Sequence, residues 1–303
     1  MGGLPLMDLT TFFQSCATSI SIGSAYALIA IGYTMVYGIL RLINFAHGDI
    51  FMMAGYFTIF AMSNFMLPWY LAIPLVLAMT ALLGVVIERV AYKPLRTAPR
   101  MSIMISAIGV SFFLENFATY LFTGLPKSFP GISFLQIPLE WGSVKLQSVS
   151  IITPVVTILL VVALMALVNR TKIGMAMRAA SKDFETAQLM GIKINRVISF
   201  TFAVGSVLAA VGAILYFSPR PMVYPYSGMM PGLKCFVAAV LGGIGSIPGA
   251  CIGGFIIGAV ETFLVAMFPG LSGYSDAFTF VLLILMLLVR PTGLLGEKMT
   301  DKV

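Results

Sequence analysis

Charged residues are scarce in this chain. Only 10% of its 303 residues are Asp, Glu, Lys or Arg, whereas 59% are hydrophobic and the mean hydropathy is +1.02. Soluble globular domains carry about 25% charged residues. So few charges cannot cover a surface that faces water. The composition therefore excludes an ordinary soluble domain and predicts a protein whose surface faces membrane lipid.

The signatures of several enzyme classes are absent as well. The chain has no Gly-x-x-x-x-Gly-Lys-Ser/Thr motif for binding ATP, no His-Glu-x-x-His and no Gly-x-Ser-x-Gly. Its single histidine, His47, has no second His or Cys nearby, which is poor spacing for metal ligands. Cys16, Cys235 and Cys251 each lie in an apolar run, so we expect packed thiols. We therefore expect no catalytic residue, no metal and no cofactor on this chain.

Long apolar runs occupy most of the sequence, and several approach the length that crosses about 30 Å of hydrocarbon. They predict an all-α integral membrane protein with eight or nine transmembrane helices, some of them broken or re-entrant. The number depends on whether the segment 233–250 crosses the membrane. We interpret residues 1–303 as one transmembrane domain. The predicted spans are 19–40, 50–66, 69–87, 101–123, 151–168, 197–217, 233–250, 252–268 and 277–290.

The positive charges predict which side of the membrane each loop faces. The net charge of +7 comes from bases in loops without an aromatic platform, which argues against a nucleic-acid partner. Because Lys and Arg favour the cytosolic side, we place 88–100, 169–196 and the C-terminus (Arg290, Lys298, Lys302) in the cytosol. The proline-rich segment 124–150 has only two lysines and is predicted to lie outside along the membrane surface. Span counting then places the N-terminus outside.

Two polar or glycine-rich segments interrupt the apolar pattern, at Arg41–Asp49 and at Leu241–Gly249. Irregular backbone at membrane depth is tolerated only where protein or a water-filled cavity covers it. We therefore predict that both breaks flank a central cavity. The candidate residues of this translocation path are Asn44, Ala46, His47 and Ser246 in the breaks, and Glu115 and Glu261 inside spans. For the first break, the favoured interpretation is that Asn44 and Asp49 cap half-helices; a metal or proton site and a transport-linked contact are the alternatives.

Glycines at four-residue spacing follow the second break. Gly245, Gly249 and Gly253 form one series, and Gly254 and Gly258 form another. Small residues at this spacing let a neighbouring helix backbone approach closely. We predict that all five glycines pack against a helix of this chain or of a partner.

Two acidic residues, Glu115 and Glu261, lie inside predicted spans. An intramembrane acid is costly and usually faces a bundle interior or a cavity. The alternatives are a structural acid with a partner, a residue lining the translocation path, or a proton relay. Lys234, at the outer start of its span, is predicted to extend its ammonium toward water.

The basic segment 169–196 contains a pattern for a short helix. Asp183 is suited to cap it, Glu185 lies in its first turn near the positive end of the dipole, and Gly191 is suited to end it. The segment is either an ordinary connector or a helix that transmits force to a cytosolic partner. In the second case Phe184, Ala187 and Gln188 share one face at spacings of three and four residues.

Several motifs in their order along the chain resemble the LivH-type permeases of bacterial branched-chain amino acid ABC importers. These motifs are Tyr26–Gly38, Ile43–Asp49, Glu88–Arg96, Ala239–Ala250 and Arg290–Gly296. In addition, Glu185-Thr-Ala187, followed after three residues by Gly191, is similar to the Glu-Ala-Ala loop that docks on the ATPase in such importers. Thr186 departs from that pattern, and its Ile-x-Leu-Pro ending is missing.

The resemblance implies a multi-pass permease of the bacterial inner membrane. Its expected partners are a second, related permease in a heterodimer, two ATPases that bind ATP and Mg, an extracytoplasmic binding protein and membrane lipid. Asp183, Phe184, Glu185, Ala187 and Gly191 would couple it to an ATPase. The alternatives are an importer for urea, amides or other small solutes, and a secondary transporter or channel that acts alone.

Overall fold

The computed structural model of the protein describes residues 9–96, 98–141 and 144–296. Lys298 and Lys302, used above to place the C-terminus, lie outside these residues. Within the described ranges the chain forms eleven α-helices and four short strands. The helices are α1 (Leu9–Leu40), α2 (His47–Ile59), α3 (Trp69–Ile87), α4 (Arg100–Phe122), α5 (Val149–Arg170), α6 (Lys172–Lys182), α7 (Phe184–Leu189), α8 (Ile194–Phe217), α9 (Met229–Gly242), α10 (Ile247–Met267) and α11 (Ser275–Val289).

Seven helical segments in the described ranges are long and apolar enough to cross a membrane. They contain α1, α3, α4, α5, α8, α10 and α11. Two shorter helices, α2 and α9, overlap the remaining predicted spans; α2 continues into a π-helix, Phe60–Asn64. Each of the nine predicted spans therefore overlaps a helix, and the all-α membrane fold is confirmed.

Two predicted boundaries were wrong. Helix α1 extends back to Leu9, the first residue that the structure describes, whereas the predicted span starts at position 19. The polar residues between these two positions lower the hydropathy and so were left out of the predicted span, but none of them is a helix breaker. The span 233–250 is divided, since α9 ends at Gly242 and α10 begins at Ile247. Gly243 and Gly245 between them have φ of 104° and 99°, which ends a helix. The Ser246 hydroxyl then accepts a hydrogen bond from the Gly249 amide at 3.2 Å and caps α10.

Helix α1 lies at the centre of the molecule. Every residue from Gly23 to Val36 is buried, so this helix is apolar on all sides and enclosed by others. It packs against α5, α8, α9 and α10. By contrast, α4, α5 and α11 expose apolar side chains such as Phe112, Leu159 and Leu288, as expected for helices that face lipid or a partner subunit.

Three of the four strands lie in the segment 124–150, which was predicted to be outside. Strand β1 (Lys127–Ser128) pairs antiparallel with β4 (Met222–Val223), while β2 (Pro138–Trp141) and β3 (Val144–Gln147) form an antiparallel pair. Because β4 follows α8, this pairing joins the end of α8 to the segment 124–150. The basic loop precedes α8 and therefore lies at the other end of that helix.

Candidate coupling and translocation site

The short helix α7 forms as its sequence predicts. The Asp183 carboxylate accepts hydrogen bonds from the amides of Glu185 and Thr186, at 2.9 and 3.3 Å. Asp183 also accepts one from the Thr186 hydroxyl, at 2.7 Å. At the other end, Gly191 has a φ of 83°, and the Ile192 amide bonds the Ala187 carbonyl at 3.1 Å. Because both ends are capped, a helix of only six residues is held in one conformation.

The exposed face of α7 differs from the predicted one. Ala187 is only 4% exposed, because it faces into the protein, where α7 packs on α6 and α8. Its side chain therefore offers little surface in this conformation, and its predicted contact with an ATPase stays a prediction. Leu189 and Met190 are 87% and 80% exposed, and Phe184 is also exposed. The apolar surface of this helix is thus formed by Phe184, Leu189 and Met190, together with the exposed carboxylate of Glu185.

Both predicted breaks contribute to one crevice. Its lining comes from α1 (Tyr33, Tyr37), the first break (Ile43), α9 (Phe236, Ala239) and the second break (Ile244). Of the candidate path residues, Asn44, Ala46 and His47 are buried beside it in the first break, and Ser246 is partly exposed in the second. Gly38 and Gly245 also approach each other here. The two breaks, far apart in sequence, therefore meet. Whether they face water during transport stays a prediction.

The first break is not capped by Asn44, which corrects that prediction. Ala46 occupies the N-cap position of α2 without a side-chain bond, and the Asn44 side chain instead accepts a hydrogen bond from the Tyr92 hydroxyl at 2.7 Å. Asp49 lies buried in the first turn of α2. Asn44 thus ties the break to Tyr92, in the segment that follows α3.

His47 is 1% exposed and its ring lies 4.6 Å from that of Tyr33. Its Nε2 has no hydrogen-bond partner among the described residues. No group of three or more His, Cys, Asp or Glu side chains in the described part of the chain is arranged to hold a metal ion. The geometry makes His47 a packed ring at the start of α2.

The C-terminal tail, residues 290–296, forms hydrogen bonds with the second break. The amides of Leu294 and Leu295 donate to the carbonyls of Leu241 and Gly242, at 2.9 and 2.8 Å. These are the last carbonyls of α9, which have no partner within the helix. The motif Arg290–Gly296 therefore satisfies the end of α9.

The glycine series packs within this chain. Gly249 and Gly253 face Gly242 and Ala238 of α9, whereas Gly254 and Gly258 face α1 at Ala27 and Gly23. Gly245 is the exception: a Cβ there would meet nothing within 4 Å, and the residue lies in the turn with positive φ. Gly245 therefore approaches Gly38 from a turn and not from a helix face.

The acids in the spans have different surroundings. The Lys234 ammonium lies 3.1 Å from the Glu261 carboxylate and 2.6 Å from that of Asp276, and Tyr26 donates to Glu261 at 2.8 Å. Lys234 is 5% exposed, so the prediction that it extends toward water is wrong. Glu261 is a partnered acid. Glu115 is buried in α4, and neither acid lines the crevice.

Sequence reasoning missed several residues of this region. Tyr33, Tyr37 and Phe236 of the crevice look like ordinary core aromatics in the sequence, and no spacing distinguishes them. Leu189 and Met190 carried a usable signal, since two large apolar residues stand between a capped helix and its glycine end.

The sequence of the chain matches a known family over most of its length. The model of the family described as "Branched-chain amino acid transport system / permease component" matches residues 15–288. The chain belongs to this family. The permease is also 40% identical to the high-affinity branched-chain amino acid transport system permease protein BraD of Pseudomonas aeruginosa, over 98% of this chain and 99% of BraD. It is 41% identical to the LivH permease proteins of Salmonella typhimurium and Escherichia coli, over 96% of this chain and 98% of each relative.

The family resemblance predicted from the motifs is thereby confirmed. Seven helices in the part of the chain that the structure describes are able to span a membrane, and the permease is a multi-pass inner-membrane protein and a transport subunit.

Proposed function

We propose that this permease imports branched-chain amino acids as one subunit of an ATP-driven complex. The observation that carries the proposal is the match along almost the whole chain to permease proteins of branched-chain amino acid transport systems. The complex contains a second, related permease, two ATPases that bind ATP and Mg, and an extracytoplasmic binding protein. This chain forms one permease domain over residues 1–303 and supplies no bound cofactor.

The coupling surface is α7. The apolar surface beside Glu185 is formed by the exposed side chains of Phe184, Leu189 and Met190. Burial of this surface in a groove of an ATPase stabilises docking. The capped helix is rigid, so displacement of the ATPase displaces the loop as a unit. Asp183 and Gly191 contribute by holding its two ends.

The path is assigned to the crevice between the two breaks. Its lining is aromatic and aliphatic, without a charged side chain. The crevice holds only about 10 Å³ in this conformation, so it must widen before an amino acid can pass. Such a wall suits an aliphatic side chain that must be released, since a deep charged site would retain it. Asn44, Ala46, His47 and Ser246 lie around this crevice, whereas Glu115 and Glu261 lie outside its lining.

Two other functions compete. An importer for urea, amides or other small solutes would have the same architecture, and the binding protein decides between them. In a secondary transporter or channel acting alone, Glu115 or Glu261 would be the expected ion site in the path. The pairing of Glu261 with Lys234, and the absence of both acids from the crevice lining, favour the ATP-driven complex.

The coupling surface is tested by the double variant Leu189→Asp with Met190→Asp. It should remove apolar docking area, so the ATPases should no longer copurify and ATP-driven uptake should be lost. Met222→Asp is the control, because Met222 is 63% exposed on β4 at the opposite end of α8.

Glu185→Lys and Gly191→Trp should likewise abolish uptake without loss of membrane insertion. Full transport and retained ATPases in all three cytosolic variants would show that α7 is an ordinary connector.

A further inference from the structure

The segment Glu88–Arg96, which carries one of the motifs shared with LivH-type permeases, has no role in the function proposed so far. It connects α3 to α4. Its first part, Glu88–Tyr92, is a π-helix, and a turn of 3-10 helix follows. π-helical turns are rare and often occur at functional sites. The contacts that this segment makes are therefore candidates for a functional role.

Both ends of the segment are bound to the start of α8. Glu88 is fully buried and forms an ion pair with Arg96. The Ser199 hydroxyl donates to the other carboxylate oxygen of Glu88 at 2.6 Å, and Arg96 donates to the Asn195 side chain at 2.5 Å. Asn195 and Ser199 lie in the first two turns of α8, which begins three residues after Gly191. The segment is thus fixed to the helix that follows the coupling loop, which is the basic segment 169–196.

The other contact reaches the first break. Tyr92 lies four residues after Glu88, is 1% exposed, and donates its hydroxyl to the Asn44 side chain at 2.7 Å. Its ring centroid lies 5.3 Å from that of Phe202 in α8. Asn44 is 2% exposed, so no water replaces this bond when it is broken.

A second link joins the same break to the coupling loop. The Arg41 guanidinium, at the start of the break, donates to the Ser181 carbonyl at 3.3 Å. Ser181 lies in the last turn of α6, two residues before the Asp183 cap. The first break is therefore bound to the end of α6 through Arg41 and to Tyr92 through Asn44.

We propose that the segment Glu88–Arg96 transmits the movement of the coupling loop to the break that flanks the crevice. Asn195 and Ser199 move with the start of α8. The side chains bonded to them, Glu88 and Arg96, move as well. The resulting shift of Tyr92 then repositions Asn44. Tyr92 is a positioning residue, since it acts on the path through Asn44. The proposal rests on ATP-driven import through α7, and it assigns the residues that carry the coupling.

The test is Tyr92→Phe in the purified complex with its ATPases and binding protein, reconstituted in proteoliposomes. The substitution removes one hydroxyl and keeps the ring against Phe202. The measured quantity is the number of amino acid molecules imported per ATP hydrolysed. We expect this ratio to fall about three- to tenfold, the change that one lost hydrogen bond causes in an equilibrium. Assembly and ATP hydrolysis should stay close to wild type.

Tyr56→Phe is the matched control, because the Tyr56 hydroxyl is buried without a hydrogen-bond partner among the described residues. It should leave the ratio unchanged. Ser199→Ala, which removes a partner of Glu88, should lower the ratio as Tyr92→Phe does.

A wild-type ratio in both Tyr92→Phe and Ser199→Ala would overturn the proposal. So would a parallel fall of assembly, hydrolysis and import, which indicates a purely structural role. Failure of the proposed function is visible separately, in the wild-type complex. If that complex drives a different solute, the ratio is measured with that solute, and if it uses no ATP, both proposals fail.

Discussion

At the scale of single residues, glycine decides how closely the central helices approach. A Cβ on Gly258 would lie 2.5 Å from the Gly23 Cα, and one on Gly254 would lie 2.6 Å from the Ala27 Cα. Both contacts are with backbone, which cannot rotate away as a side chain can. The contact between α1 and α10 therefore depends on the absence of two methyl groups.

Gly258→Ala should lower the thermal stability of the purified permease, because the two helices must separate to admit the methyl group. Overpacking of this kind costs about 1–3 kcal/mol. Gly109→Ala is the control, since a Cβ there meets nothing within 4 Å. Melting temperature in detergent is the measurement. An equal melting temperature for both variants would show that α1 and α10 are not in this contact.

At the scale of elements, the short helix α9 depends on contacts at both ends. The C-terminal tail satisfies its last carbonyls, and Lys234 joins it to Glu261 of α10 and Asp276 of α11. The Asp276 side chain is 41% exposed and that of Glu261 is 18% exposed. The pair between Lys234 and Glu261 should therefore contribute more to stability than the pair between Lys234 and Asp276, which water screens.

Lys234→Met should destabilise the permease strongly, because it leaves Glu261 largely buried without its cation; breaking a buried pair this way costs about 3–5 kcal/mol. Asp276→Asn should cost about 1 kcal/mol or less. Combining Lys234→Met with Glu261→Gln should restore part of the loss. Melting temperatures of the three variants order these effects, and a larger loss for Asp276→Asn than for Lys234→Met would contradict the assignment.

The sequence predicts these elements unevenly, for physical reasons. Hydropathy located segments that each overlap a helix, seven of them long enough to cross a membrane in the described ranges. Cap residues located α7 with its ends at Asp183 and Gly191. The glycine spacing did not distinguish Gly245 in a turn from Gly254 in a helix contact, because both satisfy the same period. The partners of Lys234 and Asn44 lie far away in sequence, so local reasoning assigned water to one and a cap to the other.

At the scale of the whole molecule, α7 and the two breaks lie toward the end of α8 where that helix begins, and the strands lie at its other end. Arg41 joins the first break to the coupling loop, and the tail 290–296 closes the second. Strands β1 and β4 pair at the far end of α8. A force applied to α7 therefore has a short route to the crevice.

Uptake of radiolabelled leucine into proteoliposomes tests the central claim most directly, since it separates an ATP-driven subunit from a transporter that acts alone. The complete complex with binding protein should accumulate leucine only when ATP is present on the ATPase side, and a proton uncoupler should have no effect. Proteoliposomes containing this chain without the ATPases should not accumulate it. Uptake by the chain alone, independent of ATP and abolished by the uncoupler, would contradict the account.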